Sequence, residues 1–141
     1  DLMKSMGATH LVNYKEDAEW GKTIQKLSKG RGVTHAVEIA GGDQLKQTMR
    51  SLGLGGYISL IGVVEGNRSE LNLPVFSMGG FRMEGASAGS RASLQKLVDA
   101  IAIAKVKPVL DKQRFKLDEL KSALEYLASG KHIGKVIVDI A

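Results

Sequence analysis

The sequence predicts an α/β fold in which parallel strands alternate with helices. Between residues 10 and 63, apolar runs typical of strands alternate with segments whose apolar residues recur at helical spacing, and glycines separate them. This order favours parallel strands joined by crossover helices, because a parallel pair needs a longer connection than a hairpin does. A length of 141 residues corresponds to about one domain, and a hydrophobic fraction of 43% is typical of a globular protein.

The first half of the chain contains three predicted strands and three predicted helices. Glycines follow most of these elements, since a glycine readily adopts the left-handed conformation that closes a helix. In chain order the predicted elements are a helix before Gly7, a strand at 10–14, a helix over 20–27, a strand at 35–40, a helix over 45–52 and a strand at 57–63.

The second half begins with a predicted polar loop at 67–74 and a predicted strand at 81–88. An amphipathic helix follows, because apolar residues recur at i, i+3, i+4 and i+7 from Leu94, and Ser90 before it is a natural N-cap. The remaining predicted elements are an extended segment at 109–116, a helix between its cap Asp118 and its stop Gly130, and a strand at 136–140.

Composition excludes several classes of site and partner. The chain has no cysteine and three widely separated histidines, which excludes disulfides, iron–sulfur clusters and cysteine-ligated zinc within it. The net charge is +5, but the lysines are spread at helical intervals and aromatic residues are few, so we expect no nucleic-acid partner. No signal peptide and no apolar run of ~20 residues is visible, so we predict a cytoplasmic protein without a membrane partner.

Glycines at the carboxyl ends of two predicted strands mark a candidate binding site. Gly41 and Gly42 follow the strand at 35–40, and Gly62 lies at the end of the next apolar run. Ligands of open α/β sheets bind at this edge, and a glycine lets a ligand approach the backbone closely. Ordinary turns would also use these glycines. Glu38, a carboxylate inside a strand, needs polar partners, and it either supports the site or is a satisfied edge residue.

Other segments carry more ambiguous signals. Gly53–Gly56 resembles part of a dinucleotide-binding fingerprint, but it follows a helix and precedes a strand, so we predict a tight turn there. Arg91 stands at a predicted helix start, where a positive charge opposes the helix dipole. Either an anionic partner binds this arginine or its side chain is exposed to solvent. Lys135 would reach a phosphate or belong to a charge cluster at a helix end. The sequence shows no nucleophile–base pair and no paired carboxylates, so we predict no catalytic residue in this chain.

Six short segments of the chain carry a further signal when they are taken together and in order. They are 5–8, 12–14, 30–33, 36–41, 55–62 and 129–136. In this order they resemble the carboxyl-terminal part of the medium-chain dehydrogenase/reductase superfamily. The resemblance is strongest to its zinc-type alcohol dehydrogenases and is collinear over essentially the whole chain. In that family a Rossmann domain binds NAD or NADP, and a separate barrel-like domain holds a catalytic zinc.

The resemblance implies a partial Rossmann-type parallel sheet with flanking helices, in which the first two Rossmann strands are absent. Residues 1–89 would be a partial NAD(P)-binding Rossmann domain, and residues 90–141 would supply helices and a return strand that pack toward the catalytic domain. Without the two strands, 10–14 would have no neighbour and 35–40 would expose an apolar edge. We therefore expect an upstream part, rearranged strands or pairing with another copy.

The resemblance also implies which residues meet the cofactor. Three groups would line the nicotinamide half, and a fourth would contact the pyrophosphate. The expected contacts are Ile39, Ala40 and Gly41 at the nicotinamide-side ribose, Ile61, Gly62 and Val63 along the nicotinamide ring, Met83 and Gly85 at its carboxamide, and Arg91 and Lys135 at the pyrophosphate.

By this resemblance the parent protein would be an oxidoreductase that moves a hydride between an alcohol, aldehyde or ketone and nicotinamide. The zinc ligands, the proton relay, the glycine fingerprint and the residues that choose NAD or NADP lie in the family's amino-terminal part. We therefore expect residues 1–141 alone to carry out no chemistry. A zinc-free quinone or enoyl reductase of the same superfamily and a non-catalytic nucleotide-binding or interaction module are the alternatives. The family often dimerises through the region near 81–85, so we expect a homo-oligomer.

Overall fold

The computed structural model describes residues 2–140, so residues 1 and 141 of the two predicted regions lie outside it. The chain divides into two compact units, one ending at Ala88 and one beginning at Gly89. The first unit contains α1 (Leu2–Ser5), α2 (Trp20–Leu27), β1 (Val33–Glu38), α3 (Gln44–Ser51), β2 (Leu52–Leu60), α4 (Leu73–Met78) and β3 (Arg82–Gly85). The second contains α5 (Arg91–Ala104), β4 (Leu110–Lys116), a 3-10 turn (Leu117–Glu119), α6 (Leu120–Ala128) and β5 (Lys135–Asp139).

A three-stranded parallel sheet in the order β1-β2-β3 forms the centre of the first unit. Ala36, Ile58 and Met83 lie in register across it and face the core, where Ile58 is fully buried. Leu45 and Met49 of α3 pack against this face. A helix that buries its apolar stripe on a sheet in this way joins the two layers. The predicted α/β class with parallel strands and flanking helices is confirmed.

The predicted strand at 10–14 is wrong, because these residues form a loop and a turn. An extended segment becomes a strand only when a neighbouring strand accepts and donates its main-chain hydrogen bonds. Among the strands of residues 2–140, β1 pairs only with β2, so no strand lies where 10–14 would need one. The local apolar pattern is present, but its hydrogen-bonding partner is not.

The predicted tight turn at Gly53–Gly56 is also corrected, since β2 begins at Leu52 and includes these residues. The register with β1 steps from the pair Val33–Leu52 to the pair His35–Tyr57, so residues 53–56 bulge out of the ladder. Leu54 on this bulge is 89% exposed. The polypeptide therefore takes up the extra glycine-rich residues without ending the strand.

A short helix, α4, starts inside the segment predicted as a polar loop. The side chain of Asn72 accepts a hydrogen bond of 3.1 Å from the amide of Val75, which is the geometry of an N-cap. Pro74 stands in the first turn, where its missing amide hydrogen costs nothing. The cap and the proline are thus helix-start signals that the prediction of a loop overlooked.

The second unit contains a two-stranded parallel sheet of β4 and β5, with α6 packed on both strands. Ser90 caps α5 by accepting a hydrogen bond of 3.2 Å from the amide of Ser93, as predicted. The predicted cap Asp118 instead lies inside the 3-10 turn, and the Glu119 carboxylate accepts from the amide of Lys116. The 3-10 turn comes before α6, and the amide hydrogen at the start of this turn needs an acceptor of its own, which Glu119 provides.

The carboxylate of Asp111 fastens the loop before β5 to β4. It accepts hydrogen bonds from the amides of Ile133, at 2.7 Å, and Gln113, at 2.8 Å, and from the hydroxyl of Tyr126, at 3.2 Å. These bonds, the one from Ile133 first, hold the pKa of Asp111 below its usual range because they favour the charged form.

No helix among residues 2–140 is long and apolar enough to cross a membrane.

Candidate functional site

The loops that follow β1 and β2 are joined by main-chain hydrogen bonds beyond the ends of both strands. We call residues 39–42 and 61–66 the paired loops. The carbonyl of Glu38 accepts from the amide of Ile61 at 2.8 Å, and the carbonyl of Ala40 accepts from that of Glu65 at 2.7 Å. Further bonds run from Val64 to Ile39 and from Gly42 to Gly66. The carboxyl edge of the sheet is therefore a fixed surface and not two independent loops.

Close approach between the paired loops explains two of their glycines. A Cβ atom at Gly62 would lie 2.7 Å from the carbonyl oxygen of Ile39. Gly41 has φ +66°, and a Cβ there would lie 2.6 Å from the carbonyl oxygen of Gly66. Both distances are shorter than any normal contact of a carbon atom, so the chain's own packing requires glycine at these positions.

Apolar side chains on the paired loops are open to solvent. Ile39 is 58% exposed, Ile61 54% and Val63 52%, although large apolar side chains of this kind are usually buried. Clustered exposed apolar groups mark surfaces that bind a ligand or another protein surface. The structure thus brings together six of the residues predicted to meet a cofactor, 39–41 and 61–63, at one edge of the sheet.

The other predicted contacts have different surroundings. Met83 is partly buried and packs its side chain against the core. Gly85 ends β3 opposite Leu60, and a Cβ placed on it would meet no heavy atom within 4 Å. Arg91, which begins α5, and Lys135, which begins β5, are exposed residues of the second unit.

The side chain of Glu38, the last residue of β1, is buried beneath the first of the paired loops. Its residue is only 5% exposed, and no ion pair among residues 2–140 involves it. One carboxylate oxygen accepts from the amides of Ala40, at 2.7 Å, and Gly41, at 2.9 Å. The other accepts from the hydroxyl of Thr48 on α3. Hydrogen bonds therefore satisfy both oxygens of this buried carboxyl group without a cation.

A cleft of about 470 Å³ opens beside Glu38 along the free edge of β1. Tyr14 donates to a carboxylate oxygen of Glu65 at 3.1 Å across its rim, and the indole of Trp20 donates to Gln44 at 2.8 Å. The sequence prediction missed these residues and also Thr48. Gln44 and Thr48 are four positions apart on α3, so polar residues recurring beside the apolar stripe were the available signal.

The described residues do not fit a zinc site. Among residues 2–140, no group of three or more histidine, cysteine, aspartate or glutamate side chains is placed to hold a metal ion. The chain contains no cysteine, the thiolate ligand that zinc sites commonly use. The chemistry available at the paired loops is that of binding and orienting a ligand through shape and apolar contact.

Comparison with known proteins assigns the chain to a family. A zinc-type alcohol dehydrogenase-like protein of Schizosaccharomyces pombe is 35% identical over 144 aligned residues, which cover 99% of this chain and 41% of that protein. A quinone oxidoreductase-like protein 2 homolog of Nematostella vectensis is 23% identical and covers 98% of this chain and 40% of its own length. The chain thus spans about two fifths of the length of these relatives.

The solved structures agree with this assignment. The crystal structure of a Sinorhizobium meliloti 1021 protein assigned as an alcohol dehydrogenase superposes with a TM-score of 0.87 at 34% identity, over 99% of this chain and 40% of that one. Residues 6–138 match the sequence profile described as zinc-binding dehydrogenase. From the fold, the relatives and this profile together, we conclude that the chain belongs to the zinc-binding dehydrogenase family, within the medium-chain dehydrogenase/reductase superfamily, as part of its cofactor-binding region.

Proposed function

We propose that the paired loops are the wall against which the nicotinamide half of NAD or NADP lies in an alcohol dehydrogenase. The observation that carries this proposal is the open apolar surface of Ile39, Ile61 and Val63 at the carboxyl edge of a parallel sheet. That edge is where open α/β sheets bind their ligands. An apolar wall suits the flat face of a nicotinamide ring, and the hydrogen bonds between the loops hold its shape before the ligand arrives.

The cofactor would accept or donate the hydride when the whole protein interconverts an alcohol with an aldehyde or ketone. In this proposal the described residues bind and orient that cofactor, and zinc chemistry belongs to protein outside them, because they offer no ligand set. Residues 1–89 act as the cofactor-binding region, and residues 90–141 pack toward a catalytic domain. We expect this chain alone to turn over no alcohol, and the whole protein to act in the cytoplasm as a homo-oligomer.

A titration of the whole protein with NADH and with NADPH tests the wall directly. Ile61→Glu would place a carboxylate in the apolar surface without removing the main-chain hydrogen bond of Ile61. We expect it to weaken binding by about tenfold, because a ligand would have to desolvate the new charge. Leu54→Glu is the matched control, since Leu54 is an exposed apolar residue of the same unit outside the paired loops.

Equal binding by wild type and Ile61→Glu would overturn the proposed wall. Equal losses in Ile61→Glu and Leu54→Glu would also overturn it, since the effect would then come from the added charge alone. Calorimetry measures each dissociation constant, and the ratio of the NADH and NADPH constants reports the cofactor preference.

A zinc-free reductase acting on quinones or enoyl groups is the second candidate function. The observation that favours it is the similarity to a quinone oxidoreductase-like protein over nearly the whole chain. The two functions differ in the metal, so elemental analysis of the whole protein separates them. Zinc bound in equal amount to protein, with alcohol oxidation, supports the dehydrogenase; absence of zinc, with quinone or enoyl reduction, supports the reductase.

A further inference from the structure

We propose that Glu38 is a positioning residue that sets the conformation of the first paired loop for cofactor binding. This inference rests on the proposed function of that loop. Glu38 itself is buried and faces the core side of the sheet, so it acts on a ligand only through the residues it holds. It stands at the point where β1 ends and the predicted contacts Ile39, Ala40 and Gly41 begin.

The hydrogen bonds of Glu38 account for the turn of the chain after β1. Two successive amides, those of Ala40 and Gly41, point back to a single carboxylate oxygen. Such convergence requires the backbone to leave the extended conformation, and Gly41 does so with φ +66°. A carboxylate is well suited to this role because charge-assisted hydrogen bonds are stronger than neutral ones.

The carbonyl side of the same loop is also used. The carbonyls of Ile39 and Ala40 accept hydrogen bonds from the second paired loop, and that of Gly41 accepts from the amides at the start of α3. The loop is therefore held from below by Glu38 and from the side by residues 64 and 65. A ligand can therefore contact the exposed side chain of Ile39 and the outer surface of the loop. Glu38 fixes the position of both.

Thr48 connects this arrangement to the body of the unit. Its hydroxyl donates to the second carboxylate oxygen of Glu38, and Thr48 is itself only 4% exposed on α3. The carboxylate is thus anchored at one oxygen by a helix packed on the sheet, while the other oxygen holds the loop. Removing the hydroxyl should loosen the carboxylate without removing any partner of the loop amides.

Four variants, each introduced into the whole protein, test the inference by titration with NADH and NADPH. Glu38→Ala removes the single oxygen that accepts from both loop amides and should weaken binding by about tenfold or more. Glu38→Gln keeps an acceptor oxygen in the same place and should recover most of the affinity. Thr48→Val should weaken binding by about threefold. Met49→Ala, which opens the core next to Thr48 but touches no loop amide, should lower the urea midpoint and leave the dissociation constant unchanged.

A second readout separates positioning from general stability. The amide hydrogens of Ala40 and Gly41 should exchange faster in Glu38→Ala and in Thr48→Val than in Met49→Ala. The variants are compared under conditions that give them the same free energy of unfolding. If Glu38→Ala fails to fold, Thr48→Val carries the comparison with Met49→Ala. If the unmodified protein binds cofactor and Glu38→Ala and Thr48→Val bind it with the same affinity, the positioning role alone is overturned. Failure of the unmodified whole protein to bind either cofactor overturns the proposed function, and the inference with it.

Discussion

Two carboxylates, one in each unit, make the same kind of hydrogen-bond set in different surroundings. Glu38 accepts from two main-chain amides and from the hydroxyl of Thr48. Asp111 likewise accepts from two main-chain amides and from the hydroxyl of Tyr126. The partners of Glu38 lie within 10 positions of it along the chain, whereas Ile133 lies 22 positions from Asp111.

This difference in spacing separates two uses of one chemical device. Glu38 bends the loop that directly follows it, and that loop belongs to the candidate site. Asp111 joins segments that are distant in sequence, so it stabilises the connection between β4 and the loop before β5. In this chain, therefore, the amides held by Glu38 belong to one exposed loop, whereas Asp111 joins two segments that are distant in sequence.

The largest effect on the free energy of unfolding should come from replacing a glycine of the paired loops. A glycine with the same φ but no close neighbour provides the comparison. Gly41 and Gly130 both have φ +66°, yet a Cβ at Gly41 would meet Gly66, and one at Gly130 would meet nothing within 4 Å. Gly130→Ala should lower the free energy of unfolding by about 1 kcal/mol through backbone strain alone. Gly41→Ala should cost about 3 kcal/mol, because overpacking adds to the same strain.

Urea unfolding followed by circular dichroism measures both glycine variants. The difference between them isolates the contact between the paired loops from the cost of the left-handed conformation. Equal losses would mean that the loops separate easily, which contradicts the description of a fixed surface.

An intermediate effect is expected from removing the hydroxyl donor of each carboxylate. Thr48→Val should lower the free energy of unfolding by about 1 kcal/mol, because a buried acceptor loses its partner. Tyr126→Phe should have a smaller effect, since Asp111 is nearer to solvent and water replaces the lost donor. Thr48→Ser keeps the hydroxyl and is the control. A larger loss in Tyr126→Phe than in Thr48→Val would reverse the comparison.

The smallest effect on stability is expected when the pH is lowered. The pKa of Asp111 is lowered in the folded chain from its ordinary value of 3.8, so its contribution to stability is complete above that value. The contribution is lost as the pH falls through the lower folded pKa. Unfolding measured between neutral and strongly acid pH should therefore show an acid-dependent loss that is reduced in Asp111→Asn.

Asp139 provides an internal control for the acid experiment. The hydrogen bond from Arg114 lowers the pKa of Asp139 in the same direction, so part of the acid dependence should remain in Asp111→Asn. An unchanged acid dependence in that variant would show that Asp111 does not fasten the loop before β5.

Local patterns predicted most of the fold, and non-local contacts explain where prediction failed. Apolar runs and glycine stops are local, so β1, α5 and β5 were found close to their observed positions. The local pattern predicted a strand at 10–14, although the family resemblance had indicated that this segment would lack a neighbouring strand. The bulge at Gly53–Gly56 depends on its register with β1, which the sequence does not display.

The sequence picked out the glycines that lie together in the paired loops, but for a physical reason that differs from the one the structure gives. The glycines of the paired loops were identified, and the space left by Gly62 was expected to admit a ligand. The structure shows that the carbonyl of Ile39 approaches that position, so the glycine serves the contact between loops. Glu38 was recognised as needing partners, but Thr48 was not found because it lies on a separate element.

Trp20, the sole tryptophan of the sequence, has a practical consequence. It lies in the first unit, its indole hydrogen-bonded to Gln44 at the cleft beside Glu38. Its fluorescence therefore follows the first unit, while circular dichroism follows the backbone of both units. Coincident transitions by the two probes would mean that the units unfold cooperatively, and an emission change before the loss of ellipticity would mean that the cleft opens first.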